Sequence, residues 1–121
     1  MSTVMKFGGT SVADAAAFEN VARIVAAARE ASPVVIVSAM SGVTDSLLAA
    51  TNTSAEQNVG DAIASLDETF RRHHAAAKQL LPEIAAGKFI DHVDNIAQQI
   101  AHLLRGINTV SIPRATQDAI V

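Results

Sequence analysis

The sequence has no cysteine, tryptophan or tyrosine, and aromatic residues make up only 3% of its 121 residues. Without cysteine there is no disulfide, no thiolate metal site and no thiol nucleophile. The scarcity of aromatic side chains argues against a surface on which nucleic-acid bases stack. The formal charge of −3 argues against a basic face for nucleic acid as well. We therefore expect no nucleic-acid partner.

Long apolar runs are missing too. No stretch approaches the ~18 apolar residues that a membrane span needs. The N-terminal "MSTVMK" lacks the apolar segment of a signal peptide. A chain of 121 residues is long enough to bury the core of one domain. We expect a cytoplasmic protein with no membrane partner, whose ligands are small and either anionic or neutral.

The first part of the chain alternates strand and helix signals. Residues 3–7, "TVMKF", form a short apolar run stopped by two glycines, which is typical of a strand before a tight turn. Residues 15–30 carry apolar side chains at helical spacing, and Asp14 is the predicted N-cap. After a Ser-Pro break comes "VVIVSAM", a β-branched run that is apolar on both faces, as a buried parallel strand requires. Residues 3–38 are therefore predicted to form a β-α-β unit.

The rest of the chain shows helical patterns. A short helix is predicted to begin near Asp45, and the polar "TNTSAE" at residues 51–56 is predicted to link it to two longer helices. In those helices apolar residues recur at alternating steps of three and four, which indicates narrow seams of the coiled-coil kind. Pro82 and Gly87 mark the connection between them. The spacing predicts an antiparallel helical hairpin at about residues 55–107. The first seam consists of Val59, Ile63, Leu66, Phe70, His73, Ala77 and Leu80, and the second of Phe89, Val93, Ile96, Ile100, Leu103 and Ile107.

Both predicted strands end in loops rich in glycine and serine, "KFGGTS" and "SAMSGVT". Parallel α/β sheets bind ligands at the carboxyl ends of their strands. Glycines let a phosphate approach the backbone amides, and the dipole of a following helix favours its negative charge. Lys6 adds a positive charge, although neither "GxxxxGK[ST]" nor "GxGxxG" occurs. The pattern predicts an anion site, and tight turns beside a solvated lysine remain the alternative.

The sequences of these two loops also resemble those of a known protein family. "MKFGGTSV", followed further along by "VVIVSAMSGVTD", resembles the N-terminus of the aspartate kinases, which belong to the amino-acid kinase family. A weaker likeness extends to "RATQDAIV", which resembles the segment before that family's "SFGE" motif. The resemblance implies a three-layer α/β/α fold, of which this chain holds the N-terminal β-α-β unit and the helical hairpin. It also implies that residues 1–121 are the N-terminal part of the catalytic domain, without its C-terminal half or the regulatory ACT domains.

The resemblance further implies a reaction. The γ-phosphate of ATP, accompanied by Mg²⁺, passes to the side-chain carboxylate of L-aspartate and gives 4-phospho-L-aspartate, the entry step to lysine, threonine and methionine biosynthesis. Such transfers depend on positioning and charge neutralisation. The metal-binding aspartate and the glutamate that holds the acceptor's ammonium in this family would lie beyond Val121. The 121 residues alone are therefore expected to be inactive, and the parent protein to form a homo-oligomer.

The resemblance assigns roles to individual residues but gives this chain no metal ligand. Lys6 would be catalytic, because it would stabilise the phosphate charge as it migrates. Thr44 would hold the aspartate substrate, and a plain N-cap role is its alternative. The nucleotide-binding residues would be Lys6, Phe7, Gly8, Gly9 and Ser38.

Other polar residues are interpreted more simply. "RRHH" at residues 71–74 is predicted to be a solvated helix face rather than an anion site, with His73 packed on the seam. His92 and His102 are too far apart along one helix for a metal site. Asp91 and Asp94 are predicted to lie on the solvated outer face of the hairpin. Two further alternatives stay open for the whole chain: a non-catalytic helical interaction module and a different amino-acid kinase.

Overall fold

The computed structural model describes residues 3–56 and 58–107. These residues are mostly helical and contain a two-stranded parallel sheet, which agrees with an α/β class. The chain divides into two compact units, residues 1–42 and 43–121. None of the helices described in them has the length and apolar character needed to cross a bilayer. The elements are β1 (Val4–Phe7), α1 (Ala15–Ala27), β2 (Val34–Val37), α2 (Val43–Ala55), α3 (Val59–Ser65), α4 (Asp67–Leu80) and α5 (Glu83–Ile107).

The first unit contains both predicted strands. β1 and β2 pair in parallel, with Val4 opposite Val34 and Phe7 opposite Val37. The backbone N–H of Ser38 continues the pairing, since it donates to the Phe7 carbonyl oxygen at 3.1 Å. Two parallel strands that are consecutive in the sheet need a crossover connection, and α1 supplies it. The predicted order of strand, helix and strand is confirmed.

The start of α1 is fixed by a side chain. The Asp14 carboxylate accepts a hydrogen bond from the Ala17 backbone N–H at 2.8 Å, which confirms the predicted N-cap. The helix ends at Ala27, earlier than the sequence pattern indicates, and a short 3₁₀ turn follows. Ser32 then adopts a left-handed conformation with φ of 50°, so the chain turns into β2.

The second strand is more exposed than its sequence predicts. Each of its residues is between 41% and 54% exposed: Val34, Val35, Ile36 and Val37. A run that is apolar on both faces is typical of a strand covered on both sides. The described residues do not provide that cover, and a sheet of two strands also has two free edges.

The second unit begins with a longer helix than expected. The predicted polar link at residues 51–56 is wrong, because α2 continues to Ala55. The Thr51 hydroxyl donates to the Leu47 carbonyl oxygen at 2.9 Å, one helical turn earlier. Thr51 and Ser54 are both fully buried. The Thr51 hydroxyl is thus satisfied by the helix backbone, whereas the Ser54 hydroxyl makes no hydrogen bond to any described residue, and a polar stretch need not be a loop.

The long helix predicted from Val59 to Leu80 is divided in two. Leu66 separates α3 from α4, and it is almost fully buried. Two acidic residues in the first turn of α4 favour a new helix start there. The connection predicted at Pro82 is confirmed, but Gly87 lies inside α5 rather than in the connection.

The helices α4 and α5 contact each other. The His74 Nε2 atom lies 2.9 Å from an Asp94 carboxylate oxygen, and Asp94 is exposed, as predicted. His74 Nε2 is shielded from solvent and makes no aligned hydrogen bond within the described part of the chain. The two helices are neighbours, and the antiparallel hairpin within a three-layer fold stays a prediction.

The buried face of α5 is broader than a single seam. Val93, Ile100 and Ile107 are buried as predicted, whereas Phe89 and Ile96 are each 38% exposed. Leu104, which the seam omitted, is completely buried. A seam assumes one partner helix, but α5 contacts α2, α3 and α4. Because of these additional partners, the buried residues of α5 cover more of its circumference than the predicted seam.

We expect Ile100→Asp to lower the free energy of unfolding by several kcal/mol, since it places an unpaired carboxylate at a position that is 8% exposed. Ile84→Asp is the matched control on the same helix, because Ile84 is 77% exposed. The control should change stability by less than about 0.5 kcal/mol. Urea unfolding followed by circular dichroism measures both. Equal effects of the two substitutions would contradict the described face of α5.

Candidate functional site

The loops that follow β1 and β2 touch each other at Gly9. A Cβ atom added to Gly9 would lie 3.3 Å from the Ala39 carbonyl oxygen and 3.4 Å from the Ser41 Cα. Both neighbours are backbone atoms, which cannot swing aside as a side chain can. Glycine at this position therefore permits the close approach of the two loops.

Backbone hydrogen bonds hold the loops at the strand ends. The Ser38 N–H donates to the Phe7 carbonyl at 3.1 Å, so the second loop begins beside the first. The Ser11 N–H donates to the Gly8 carbonyl at 3.0 Å and closes a tight turn. Because the strands are parallel, both loops leave the sheet at its carboxyl end, where such sheets bind ligands.

Gly8 faces open space, unlike Gly9. A Cβ atom added to Gly8 would have no neighbour within 4 Å among the described residues. Its backbone is extended, with φ of −77° and ψ of 178°, so no conformational strain demands glycine.

Lys6 precedes these glycines on β1 and lies opposite Ile36 in the register. It is exposed, and it shares its sheet face with Val4, which is also exposed. Met5 and Phe7 are on the other face and are half-buried. The alternation therefore leaves the lysine on the more open side of the strand.

The contribution of the helix dipole to the first loop stays a prediction. The sequence suggested that the dipole of the next helix would favour an anion at the glycines. The α1 N-terminus is already occupied by the Asp14 carboxylate, and a short 3₁₀ turn separates it from Gly8. A second anion there would meet a negative charge. The other groups of the first loop that attract an anion are its backbone amides and Lys6.

The second loop carries two features of note. The Ser38 hydroxyl donates to the Ala39 carbonyl at 3.1 Å and is exposed, so a single rotation would redirect it to a ligand. Gly42 has φ of 81°, a left-handed conformation that glycine adopts readily and other residues avoid. This turn leads directly into α2.

Thr44 is the second residue of α2 and is exposed. Since the helix starts at Val43, Thr44 is inside the first turn and is not the residue that caps it. The simpler N-cap interpretation of Thr44 is therefore wrong. Thr44 belongs to the second unit, whereas the other predicted site residues belong to the first.

The structure thus brings together five of the predicted residues: Lys6, Phe7, Gly8, Gly9 and Ser38. Sequence reasoning did not identify the backbone of Ala39 and Ser41 as the surface against which Gly9 packs. The only available signal was the glycine-serine composition of the second loop. Within residues 3–56 and 58–107, no group of three or more histidines and carboxylates is placed to hold a metal ion.

Comparison with known proteins gives consistent results. Residues 1–110 match the model of the "Amino acid kinase family". The chain is 36% identical, over 107 residues, to the bifunctional aspartokinase/homoserine dehydrogenase 1 of Zea mays. It is 30% identical to the corresponding enzyme 2 of Arabidopsis thaliana and 34% identical to enzyme 2 of Zea mays. Each match covers 88% of this chain but only 12% of the relative, so the chain spans a small part of those proteins.

The two adjacent glycines should respond differently to alanine. We expect Gly9→Ala to lower the free energy of unfolding by about 1 kcal/mol, because the new Cβ would press on the Ala39 carbonyl. Gly8→Ala should leave stability unchanged or raise it by about 0.4–1 kcal/mol, because alanine fits its backbone and restricts the unfolded chain. Thermal and urea unfolding measure the difference. If Gly9→Ala is at least as stable as Gly8→Ala, the loops are not in close contact.

Proposed function

We propose that this chain, which belongs to the amino acid kinase family, is the N-terminal part of a catalytic domain that phosphorylates L-aspartate. A carboxylate oxygen of aspartate forms a bond to the γ-phosphorus of MgATP, and the bond from that phosphorus to the β-phosphate oxygen breaks. The product is 4-phospho-L-aspartate. The observation that carries the proposal is the contact of the two loops at Gly9, at the carboxyl ends of parallel strands. The name aspartokinase, which the relatives bear, supports aspartate as the acceptor.

The first loop would bind the transferred phosphate. Gly8 has open space in place of a side chain, so a phosphate oxygen could approach the backbone amides directly. Lys6 is exposed, so its side chain could follow the phosphate. Negative charge moves toward the leaving oxygen during the transfer, and a mobile ammonium group stabilises it as it moves.

The second loop and α2 would bind the remaining groups. The Ser38 hydroxyl would turn from the Ala39 carbonyl to a phosphate oxygen of the nucleotide. Thr44 would hold the aspartate carboxylate in the first turn of α2, where backbone N–H groups and the helix dipole favour negative charge. No residue of this chain is assigned to Mg²⁺, which would enter bound to the phosphates of ATP.

The exposed sheet supports two further parts of the proposal. Parallel β-branched strands are stable when elements cover both faces, as in a three-layer α/β/α domain in which α4 and α5 form an antiparallel hairpin. The four residues of β2 lack that cover in this structure. Free strand edges and apolar faces favour pairing between chains, so we propose a homo-oligomer.

We expect Lys6→Ala, made in the protein encoded by the complete reading frame, to reduce kcat on the order of 10²-fold and to raise the KM for ATP less. The reason is that charge on the phosphate grows in the transition state. Trapping of the acyl phosphate by hydroxylamine measures the rate. Lys88→Ala on α5 is the matched control, because it removes an exposed lysine outside the loops and should leave kcat unchanged.

An unchanged kcat in Lys6→Ala would remove Lys6 from the catalytic residues. The same assay compares L-aspartate, L-glutamate and N-acetylglutamate as acceptors. Preference for either of the last two would replace the proposed substrate by that of another amino-acid kinase. A reading frame that continues with "SFGE" after Val121 would exclude the interaction-module alternative.

Residues 1–121 alone should show no aspartate kinase activity and bind ATP weakly. They would bind phosphate through the two loops but lack most of the contacts that act in the transition state, and each such contact is typically worth orders of magnitude in rate. The hydroxylamine assay should therefore give a blank. Gel filtration of the same sample should show a dimer or a larger species. A monomer that phosphorylates aspartate would contradict both expectations.

A further inference from the structure

Within the second unit, α2, α4 and α5 line an open cavity of about 320 Å³. Its walls are mostly apolar and include Leu47, Phe70, Phe89, Val93, Ile96 and Ile100. We call this cavity the helical groove. Its volume falls within the range of about 300–1,000 Å³ that is usual for small-molecule sites.

The helical groove is open to solvent at one part of its wall. Phe89 and Ile96 are each 38% exposed, whereas Val93 and Ile100 on the same helix are 8% exposed. The exposed pair and the buried pair all line the groove. A ligand could therefore enter beside Phe89 and Ile96 and reach the buried floor, removing apolar surface from water on the way.

Two histidines give the groove a specific polar character. His73 and His92 line it, one from α4 and one from α5, together with Thr69. The His73 Nδ1 lies 2.7 Å from the Thr69 carbonyl oxygen. A carbonyl oxygen only accepts, so Nδ1 carries the hydrogen. In the neutral ring, Nε2 of His73 is then a hydrogen-bond acceptor.

We propose that the helical groove binds a small aromatic ligand that carries one hydroxyl group, of the phenol class. The aromatic ring would pack between Phe70 and Phe89, in the offset or edge-to-face geometry that aromatic pairs prefer. The hydroxyl would donate a hydrogen bond to Nε2 of His73. No carboxylate is among the described residues that line the groove, so an ammonium group would find no partner.

The groove also adjoins the start of α2. Val43, which lines it, immediately precedes Thr44 in the chain. Occupancy of the groove should therefore be reported by the backbone amide of Thr44. The binding proposal does not depend on the kinase function, since the groove lies wholly within the second unit and contains none of the proposed phosphate-binding residues.

The test is a titration of the ¹⁵N-labelled 121-residue chain, followed by two-dimensional NMR, with three separate probes: phenol, toluene and benzoate. Phenol should shift the amides of groove residues such as Phe70, Phe89 and Thr44, and saturate them with one dissociation constant. Toluene should bind the same residues about three- to tenfold more weakly, as expected for one lost hydrogen bond. Benzoate should bind more weakly than phenol. Toluene binding as tight as phenol would overturn the role of His73, and tighter benzoate binding would overturn the phenol class.

Two variants separate the groove from the rest of the surface. Ile96→Trp should fill the groove and abolish phenol binding, while Ile84→Trp, at the 77% exposed position of the same helix, should leave it unchanged. His73→Phe should weaken phenol binding about three- to tenfold and leave toluene binding intact, which also shows that the groove is still folded. Unaltered phenol binding in Ile96→Trp would overturn the proposed site. Amide shifts confined to residues 3–42 would do the same.

Discussion

The parallel pairing of β1 with β2 is the interaction on which the candidate site depends. It places Phe7 opposite Val37, so the loops that follow the two strands begin at the same edge of the sheet. A Cβ atom added to Gly9 would lie 3.3 Å from the Ala39 carbonyl oxygen, so a side chain there would fit only if the neighbouring loop moved slightly. The pairing itself is poorly protected, because β2 is about half exposed along its whole length. The stability of the site is therefore tied to whatever covers this sheet.

Much of the first unit could be predicted because its signals are local. Asp14 caps the helix that follows it, and two glycines end the strand that precedes them. The approach of the two loops also follows from sequence, since parallel strands end at one edge. The electrostatics at the start of α1 could be predicted less completely. The Asp14 carboxylate that starts α1 also occupies the positive end of its dipole, and only the structure shows that the glycines lie a 3₁₀ turn away.

The second unit was harder to predict because its burial depends on contacts between helices. The hydroxyls of "TNTSAE" suggested a loop, yet Thr51 bonds back to Leu47 and remains helical. The seam on α5 included Phe89 and omitted Leu104, although Leu104 is the completely buried residue. A periodic pattern identifies an apolar face but does not give the number of helices that pack on it. The same three-sided packing of α5 leaves the helical groove open between its neighbours.

The central claim is that the two loops form one phosphate site, and a titration of the ¹⁵N-labelled chain with tripolyphosphate tests it most directly. Amides of Gly8 and Gly9 in the first loop and of Ser38 in the second should shift together and saturate with the same dissociation constant. Adenosine, which has no phosphate, should leave these amides unshifted. The account would be contradicted if the two loops saturated at different concentrations, or if the shifts were confined to basic residues of α4 such as Arg71.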